Sequence, residues 1–183
     1  MTSDDRVGET GACWLHPHVQ VRVSAIQGSG LFAARPLPAG TAVATLAGQV
    51  VSDRGLHRLL RTATASGQYL DTICIDDNTH LILAPGQPIH YGNHGCDPNL
   101  WHTDAHTLAT RRDVRAGEEL TVDYATQTIA ADFRMPCRCG APACRRVITG
   151  NDWQIPQWRD RYQGHVVPAV ARRIAAGSST PAS

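Results

Sequence analysis

Lysine is absent from this sequence of 183 residues, in which all 17 basic side chains are arginine. Such a complete bias is typical of a GC-rich genome. Excess charge is also absent, since the formal net charge of +1 gives no general attraction to nucleic acid or to an acidic membrane surface. Long apolar runs are missing as well, because no stretch approaches the ~18 residues that a membrane-spanning helix needs. These absences exclude direct nucleic acid binding and membranes as the primary partners.

The opening segment lacks the pattern of a secretory signal. MTSDDRVGETG begins with acids and glycines, with no basic segment followed by an apolar one. We therefore expect a cytoplasmic, reducing location. In such a compartment clustered cysteines serve metal binding or catalysis more often than disulfides.

The sequence contains a succession of short apolar or alternating runs separated by glycine and proline turns. VQVRVSAI begins at residue 19, HLILA covers 80–84, and EELTVDY covers 118–124. This pattern predicts short strands in one mostly β domain. Residues 53–66 predict a helix, because Leu56, Leu59 and Leu60 fall on one face.

Three cysteines lie within the segment CRCGAPAC, residues 137–144, and three thiolates make an incomplete zinc site. Structural zinc is almost always tetrahedral, with Cys or His at every position. Cys96 lies within NHGCDPN, whose turn residues can point a thiol outward. We favour Cys96 as the fourth ligand, so that zinc ties the C-terminal segment to the loop at 93–99. Zinc binding, worth on the order of 10 kcal/mol, is enough to order a segment with little core of its own.

Other ligands remain open at this point. Cys13 lies in the opening segment, and Cys74 occupies the alternating run TICID, where a free thiol is usually packed in the core. Nine histidines are also available. In this alternative, CRCGAPAC is an independent knuckle with a histidine ligand, and it serves stability alone.

Four segments in series resemble the SET-domain lysine methyltransferases that carry a post-SET zinc segment. They are GSGLFAARPLPAGTAV at 28–43, NHGCDPN at 93–99, GEELTVDY at 117–124 and CRCGAPACR at 137–145. They occur in the family's order and span roughly residues 19–155. In that family the cysteine of the Asn-His motif supplies the fourth zinc ligand, which agrees with Cys96.

The resemblance implies a mostly β fold, the SET-domain β-clip of small curved sheets with a pseudoknot, in which a C-terminal segment threads under an earlier loop. A zinc-closed post-SET segment and short C-terminal helices would complete it. We accordingly expect a flexible arm at 1–18, a SET domain at 19–127, a post-SET zinc segment at 128–155, a C-terminal helix at 156–176 and a disordered tail at 177–183. Gly164 and Pro168 are expected to interrupt the helical region.

The implied cofactor is S-adenosylmethionine, whose methyl group would pass to a lysine side chain of a protein or peptide substrate. Zinc would be structural. Tyr124 matches the family's catalytic tyrosine, whose hydroxyl lies where the methyl group passes between sulfur and nitrogen. The residues that match cofactor-binding positions are Gln27, Gly28, Ser29, Tyr69, Asn93 and His94, and the implied zinc ligands are Cys96, Cys137, Cys139 and Cys144.

Several positions depart from the family pattern. Val122 stands where many relatives have Phe or Tyr, at a channel position that influences how many methyl groups fit. Gly95 replaces the serine of the Asn-His motif. Tyr69 matches only loosely, and core packing is its alternative role. His90 and His94 are four apart, but Tyr91 breaks the His-Glu pattern of a zinc protease.

Two other functions remain open from the sequence. The first is a catalytically silent, zinc-stapled module that binds a partner peptide. The second is methylation of a non-lysine amine, which suits the short segment at 53–67 where relatives build their peptide groove. The sequence names neither the substrate protein, the methyl count nor the oligomeric state.

Overall fold

The computed structural model describes residues 5–178, and short strands in four small sheets dominate it. The helices are α1 (Asp53–Ser66), α2 (Pro156–Tyr162) and α3 (Pro168–Ser178), with 3₁₀ turns at Pro88–Tyr91, Tyr124–Gln127 and Asp152–Gln154. The strands are β1 (Arg6–Glu9), β2 (Trp14–Leu15), β3 (Val19–Val23), β4 (Ser29–Ala33), β5 (Ala42–Thr45), β6 (Gly48–Ser52), β7 (Thr72–Asp76), β8 (Thr79–Leu83), β9 (Leu100–His102), β10 (Thr107–Thr110), β11 (Glu119–Leu120), β12 (Arg134–Pro136) and β13 (Val147–Thr149).

The strands form the sheets β1-β6-β8-β7, β2-β5-β10-β9, β11-β4-β3 and β12-β13. All of the named strand pairs are antiparallel. The predicted class, mostly β with small sheets and short helices, is confirmed. One continuous core joins the sheets, and its fully buried members include Leu31, Val43, Leu81, Leu120 and Ile148.

The helix expected at 53–66 forms with those bounds. The hydroxyl of Ser52 accepts a hydrogen bond from the Gly55 N–H and caps its start. Gly67, in the left-handed region at φ 65°, ends it, because its N–H bonds back to carbonyls of the last turn. Leu60 is 39% exposed, although its spacing places it with the apolar face. Leu56 and Leu60 line a cavity instead of closing onto solid core.

The opening segment differs from the predicted flexible arm. Residues 6–9 pair with β6, and Trp14–Leu15 pair with β5. The edges of β6 and β5 provide hydrogen-bond partners for the backbone of this segment, which in a free arm would bond to water instead. Residues 1–4 lie outside the described part of the chain.

The segment at 119–124 lies between β4 and the loop at 93–100. β11 pairs with β4 on one side. On the other side, the Val122 N–H donates to the Asn93 carbonyl at 3.1 Å, and the Leu100 N–H donates to the Thr121 carbonyl at 3.0 Å. The two segments that carry the Asn-His and Asp-Tyr motifs are therefore held side by side.

Two helices stand where the sequence predicted one interrupted helical region. Gly164, at φ 76°, and Pro168 separate α2 from α3. α3 continues through residue 178, beyond the predicted end at 176, while residues 179–183 of the predicted tail lie outside the described residues. Across residues 5–178, no helix has the length and apolar character needed to cross a membrane.

Candidate active site and metal centre

The four cysteines at 96, 137, 139 and 144 form a compact cluster. Their sulfur atoms all lie within 4.8 Å of one another, and the sulfurs of Cys96 and Cys137 are 3.7 Å apart. Four sulfurs at about 2.3 Å from a tetrahedral zinc would be separated by about 3.8 Å. The spacing and the all-thiol donor set therefore fit a tetrahedral ion such as zinc.

Backbone N–H groups point at these sulfurs. The Arg145 N–H donates to the Cys96 sulfur and the Arg146 N–H to the Cys144 sulfur, each at 3.4 Å. The Cys96 N–H donates to the Cys139 sulfur at 3.5 Å. Burial alone raises the pKa of the Cys139 thiol, but N–H donation from Cys96 and Ala141 outweighs it and lowers that pKa to about 7. Burial raises the pKa of the Cys137 thiol, and it raises that of Cys96 to about 11, so among these three the N–H donors favour the thiolate at Cys139 alone.

The other two cysteines lie elsewhere in the fold. The Cys13 sulfur exchanges hydrogen bonds with the backbone of Ala47, at 3.2 and 3.3 Å. Cys74 is buried in β7, and its thiol donates to the Asp76 carbonyl. Cys96 is therefore the cysteine that the structure brings to the cluster, 41 positions before Cys137 in the sequence.

A buried ion pair attaches the cluster to the Asp-Tyr motif. The guanidinium of Arg145 donates two hydrogen bonds to the Asp123 carboxylate, at 2.6 and 2.8 Å. The indole N–H of Trp158 donates to the same carboxylate at 2.9 Å. Asp123 is fully buried, so its carboxylate has no contact with water. The hydrogen bonds from Arg145 and Trp158 compensate for that lost hydration.

His94 connects the metal centre to Tyr124. The Tyr124 N–H donates to His94 Nδ1 at 3.2 Å, so the proton of the neutral ring belongs on Nε2. Nε2 lies 3.4 Å from the Cys96 sulfur. Burial, the largest influence, lowers the pKa of His94 to about 4, which agrees with a neutral ring. A shift of the cysteine cluster would therefore displace His94 and, through it, the backbone of Tyr124.

Tyr124 stands at the boundary of two spaces. One is a narrow cleft lined by Gln27, Asn93, His94 and the segment at 135–138. The other is an apolar cavity of about 350 Å³ that includes Val122 and Gly92 in its walls. The Tyr124 hydroxyl donates to the Gly92 carbonyl at 2.8 Å, which fixes the ring between the two spaces.

The cleft side is organised by the Asn93 side chain. Its amide nitrogen donates to the carbonyls of Gln27 and Ser29, at 3.3 and 3.0 Å, and to the Glu119 carboxylate at 2.8 Å. Gly28 adopts φ 51°, so the turn between these carbonyls uses a conformation that favours glycine. Asn93 and the segment at 27–29, which belong to the positions expected to hold a cofactor, are thereby brought together.

Two of the glycines that lack room for a side chain lie at the site. A Cβ on Gly30 would lie 2.2 Å from a carboxylate oxygen of Glu119. A Cβ on Gly95 would lie 2.7 Å from the Thr121 hydroxyl oxygen. A serine at position 95, as in the family motif, would therefore require Thr121 to shift in this structure.

Tyr69 belongs to the cavity and not to the cleft. It lines the same cavity as Val122 and Tyr124, and its side chain is 85% exposed at the mouth. The alternative of core packing is therefore wrong, and Tyr69 stands away from Gln27 and Asn93. Val122 is buried and lines the same cavity as Tyr124.

Sequence reasoning missed the residues that support the site. Glu119, Arg145 and Asp123 lie within the motifs that the sequence analysis quoted, but their partners come from distant segments. Asp71, which lines the cavity, belongs to no motif, and its partner His90 enters the sequence argument only through its spacing from His94. Only the pairing of the folded chain identifies them.

Comparisons with known proteins agree with this geometry. The profile of the SET domain family matches residues 28–125. The chain is 34% identical over 142 residues to histone-lysine N-methyltransferase ATX2 of Arabidopsis thaliana, covering 70% of this chain and 13% of that protein. It is 33% identical over 146 residues to human histone-lysine N-methyltransferase 2B, covering 71% of this chain and 5% of that protein.

A solved structure is similar as well. The crystal structure of the methyltransferase domain of human histone-lysine N-methyltransferase SETMAR superposes with a TM-score of 0.57 at 25% identity. The match covers 72% of this chain and 58% of that one. The chain thus spans a small part of the length of the curated relatives described above.

Proposed function

Because this chain belongs to the SET domain family, we propose that it is an S-adenosylmethionine-dependent methyltransferase that acts on lysine side chains of proteins. The observation that carries the proposal is the position of Tyr124 between a polar cleft and an apolar cavity. Two substrates that approach from opposite sides can then meet in line beside one hydroxyl, and such alignment lowers the barrier of a displacement.

The cleft would hold the cofactor. Backbone groups at 27–29 and 93–94 would contact it, with the Asn93 amide keeping the two segments in register. When bound, S-adenosylmethionine supplies an electrophilic methyl group on a positively charged sulfur. The cleft encloses about 30 Å³, the share of about one water molecule in the liquid. Binding therefore requires the cleft to widen between the segment at 135–138 and its other walls.

The cavity would receive the lysine side chain. A lysine amine has a pKa of about 10.4 in water, so it enters as a cation and must lose a proton before it can react. The cavity's apolar walls, among them Leu31, Ile73 and Val122, disfavour the charged form. Val122 would set the room available for methyl groups beside the amine.

Tyr124 would orient the reacting groups instead of removing the proton. Burial is the main cause that raises the pKa of its phenol above the ordinary value of 10, and the negative charge of Asp71 adds to it. The hydroxyl is therefore protonated at neutral pH. Its proton is donated to Gly92, which leaves the oxygen facing the boundary between cleft and cavity.

The cysteine cluster would hold a structural zinc ion. With zinc bound, the segment at 137–145 is tied to the loop at 93–99, and the strand β12 that precedes it covers the cleft. The Arg145–Asp123 pair and the His94 bridge transmit this attachment to Tyr124. In this proposal zinc has no part in the chemical step.

A silent peptide-binding module is less well supported. Such a module would have no need for a buried, hydrogen-bonded tyrosine between two spaces, yet Tyr124 is held there by contacts at its N–H and its hydroxyl. Methylation of a non-lysine amine is likewise favoured by no particular contact.

The experiment that tests the proposal is transfer of an isotopically labelled methyl group. The zinc-loaded protein is incubated with labelled S-adenosylmethionine and either core histones or host lysate, and modified residues are identified by mass spectrometry. Because the chain contains no lysine, labelled lysine can arise only in the added protein. We expect labelled methyl-lysine with the wild type and far less with Tyr124→Phe. Label on other residues alone, or none at all, would overturn the proposal.

A further inference from the structure

The apolar cavity beside Tyr124 has one charged wall. Among the described residues that line it, Asp71 is the only one with an acidic or basic side chain. Its side chain is 23% exposed, which places it between the apolar interior and solvent. The neighbouring Tyr69, on the same wall, is largely exposed. A carboxylate therefore stands near the mouth of a cavity whose remaining walls are uncharged.

His90 holds this carboxylate in place. Its Nδ1 lies 2.9 Å from Asp71 Oδ2, and its Nε2 lies 2.7 Å from the Ala84 carbonyl oxygen. The Ala84 carbonyl and the Asp71 carboxylate both accept, so each bond needs a proton on its ring nitrogen, and His90 makes the two bonds together as an imidazolium. The backbone is fixed too, since the Leu83 N–H donates to the Asp71 carbonyl at 3.0 Å.

The fold sets the orientation of Asp71 without using up the carboxylate. The bond to His90 involves one carboxylate oxygen, Oδ2, and a carboxylate has about four lone-pair sites for donors. The titratable groups that face it are His90, Tyr69 and Tyr124. Its ionic partner is His90, and no arginine is paired with it in the described structure. Six other aspartates are paired with arginine there, namely Asp5, Asp76, Asp77, Asp97, Asp123 and Asp152.

We propose that Asp71, positioned by His90, is the specificity-determining residue that receives the cationic amine of the substrate as it enters the cavity. The inference rests on the proposed lysine methyltransferase function and adds the group that distinguishes a charged amine from a neutral chain of similar shape. Its carboxylate accepts hydrogen bonds from the ammonium at the mouth. The amine then moves inward to the apolar walls near Tyr124, where the uncharged form is favoured.

This placement predicts an effect on binding more than on turnover. A contact made at entry stabilises the bound substrate and the transition state alike, and its loss raises KM with little change in kcat. A residue needed only for folding would change the binding of any occupant of the cavity. A charged and a neutral peptide therefore separate the two roles.

The test uses a histone-tail peptide that the wild-type protein labels, and the same peptide with norleucine in place of the target lysine. Affinities are measured by calorimetry on zinc-loaded protein with S-adenosylhomocysteine present, which prevents turnover. We expect Asp71→Asn to weaken binding of the lysine peptide about tenfold or more, because a charge-assisted hydrogen bond is lost. The norleucine peptide should change less than about twofold, since it makes no such bond.

Three further variants complete the design. Asp160→Asn, at an exposed position on α2, is the matched control and should leave both affinities unchanged. His90→Asn keeps a donor near the position of Nδ1 and should preserve the preference for lysine, whereas His90→Ala should reduce it. In steady-state assays Asp71→Asn should raise KM about tenfold and leave kcat within about twofold.

The outcomes separate this inference from the proposed function. If Asp71→Asn lowers the affinity for both peptides equally, or for neither peptide, Asp71 does not receive the amine and the inference is wrong. Norleucine binding by the same variant reports whether the cavity is intact, so a folding defect cannot imitate the expected result. If the wild type labels no lysine in any histone or lysate protein, the proposed function fails first, and the inference falls with it.

Discussion

At the scale of single residues, the account depends on where Tyr124 stands. Its hydroxyl bonds to Gly92, its N–H bonds to His94, and its ring separates the cleft from the cavity. The arrangement fixes one oxygen atom at the point where two substrates would meet.

Tyr124→Phe should therefore lower kcat by roughly a hundredfold or more, the scale expected when one preorganised hydrogen-bonding group is removed. The affinity for S-adenosylmethionine should stay within about twofold, because the ring and the backbone contacts remain. Rates come from labelled methyl transfer and affinities from calorimetry. Tyr91→Phe is the control, since Tyr91 is 45% exposed and does not line the cavity. An unchanged rate in Tyr124→Phe would remove the catalytic role.

Gly30 makes a second prediction at this scale. A methyl group there would collide with Glu119, whose carboxylate also accepts from Asn93 and Ser24. Gly30→Ala should reduce the free energy of unfolding by roughly 1–3 kcal/mol, as overpacking usually does, and should weaken cofactor binding with it. Gly11→Ala, where nothing lies within 4 Å of the added carbon, should do neither in denaturant titrations. Equal stability of the two variants would contradict the close contact.

At the scale of elements, the cysteine cluster joins a loop to the C-terminal segment. Cys96 comes from the loop at 93–99, and its three partners come from 137–144. Backbone N–H groups already point at the sulfurs. Metal binding therefore fixes two segments that are distant in sequence, and β12 and the cleft lie between them.

Cys96→Ser should release zinc and weaken S-adenosylmethionine binding together. Metal content is measured by plasma mass spectrometry and cofactor affinity by calorimetry on the same preparation. Cys13→Ser is the matched control, because Cys13 bonds only to the Ala47 backbone among the contacts described and should keep both properties. If Cys96→Ser retained one zinc per chain, the proposed attachment would be wrong.

The Arg145–Asp123 pair makes a separate prediction for the same elements. Arg145→Leu leaves a fully buried Asp123 carboxylate with two uncharged donors, the Trp158 indole and the Ala125 N–H. Breaking a buried pair in this way should cost roughly 3–5 kcal/mol of unfolding free energy. Arg134→Leu, at an exposed position of β12, should change stability by less than about 0.5 kcal/mol. A small effect of Arg145→Leu in urea titrations would show that the pair adds little.

Much of the arrangement of these elements was predictable from the local sequence. The leucine spacing predicts helix α1, which ends at Gly67. The turn residues around Cys96 indicate that this thiol can serve as the fourth zinc ligand. The pairing of residues 6–9 with β6 was not predictable, because strand partners are set by long-range edges and not by the segment itself. The Asp71–His90 bond escaped for the same reason, since 19 positions separate its members.

At the scale of the whole molecule, the fold brings four motifs from residues 28 to 145 to one location. The 119–124 segment lies between β4 and the 93–100 loop, so the Asn-His and Asp-Tyr motifs share hydrogen bonds. The C-terminal region packs against this location. Trp158 of α2 donates to Asp123, and His165, between α2 and α3, stacks on Trp101 at a centroid distance of 3.4 Å. The site is thus a product of the entire fold.

The most direct test of the central claim is a co-crystal structure of the zinc-loaded protein with S-adenosylhomocysteine and a lysine peptide. The account predicts zinc among the four cysteine sulfurs, the cofactor product against residues 27–29 and 93–94, and the lysine side chain in the cavity beside Val122. The lysine nitrogen should face the cofactor sulfur next to the Tyr124 hydroxyl. Both ligands on one side of Tyr124, or either one bound elsewhere, would contradict it.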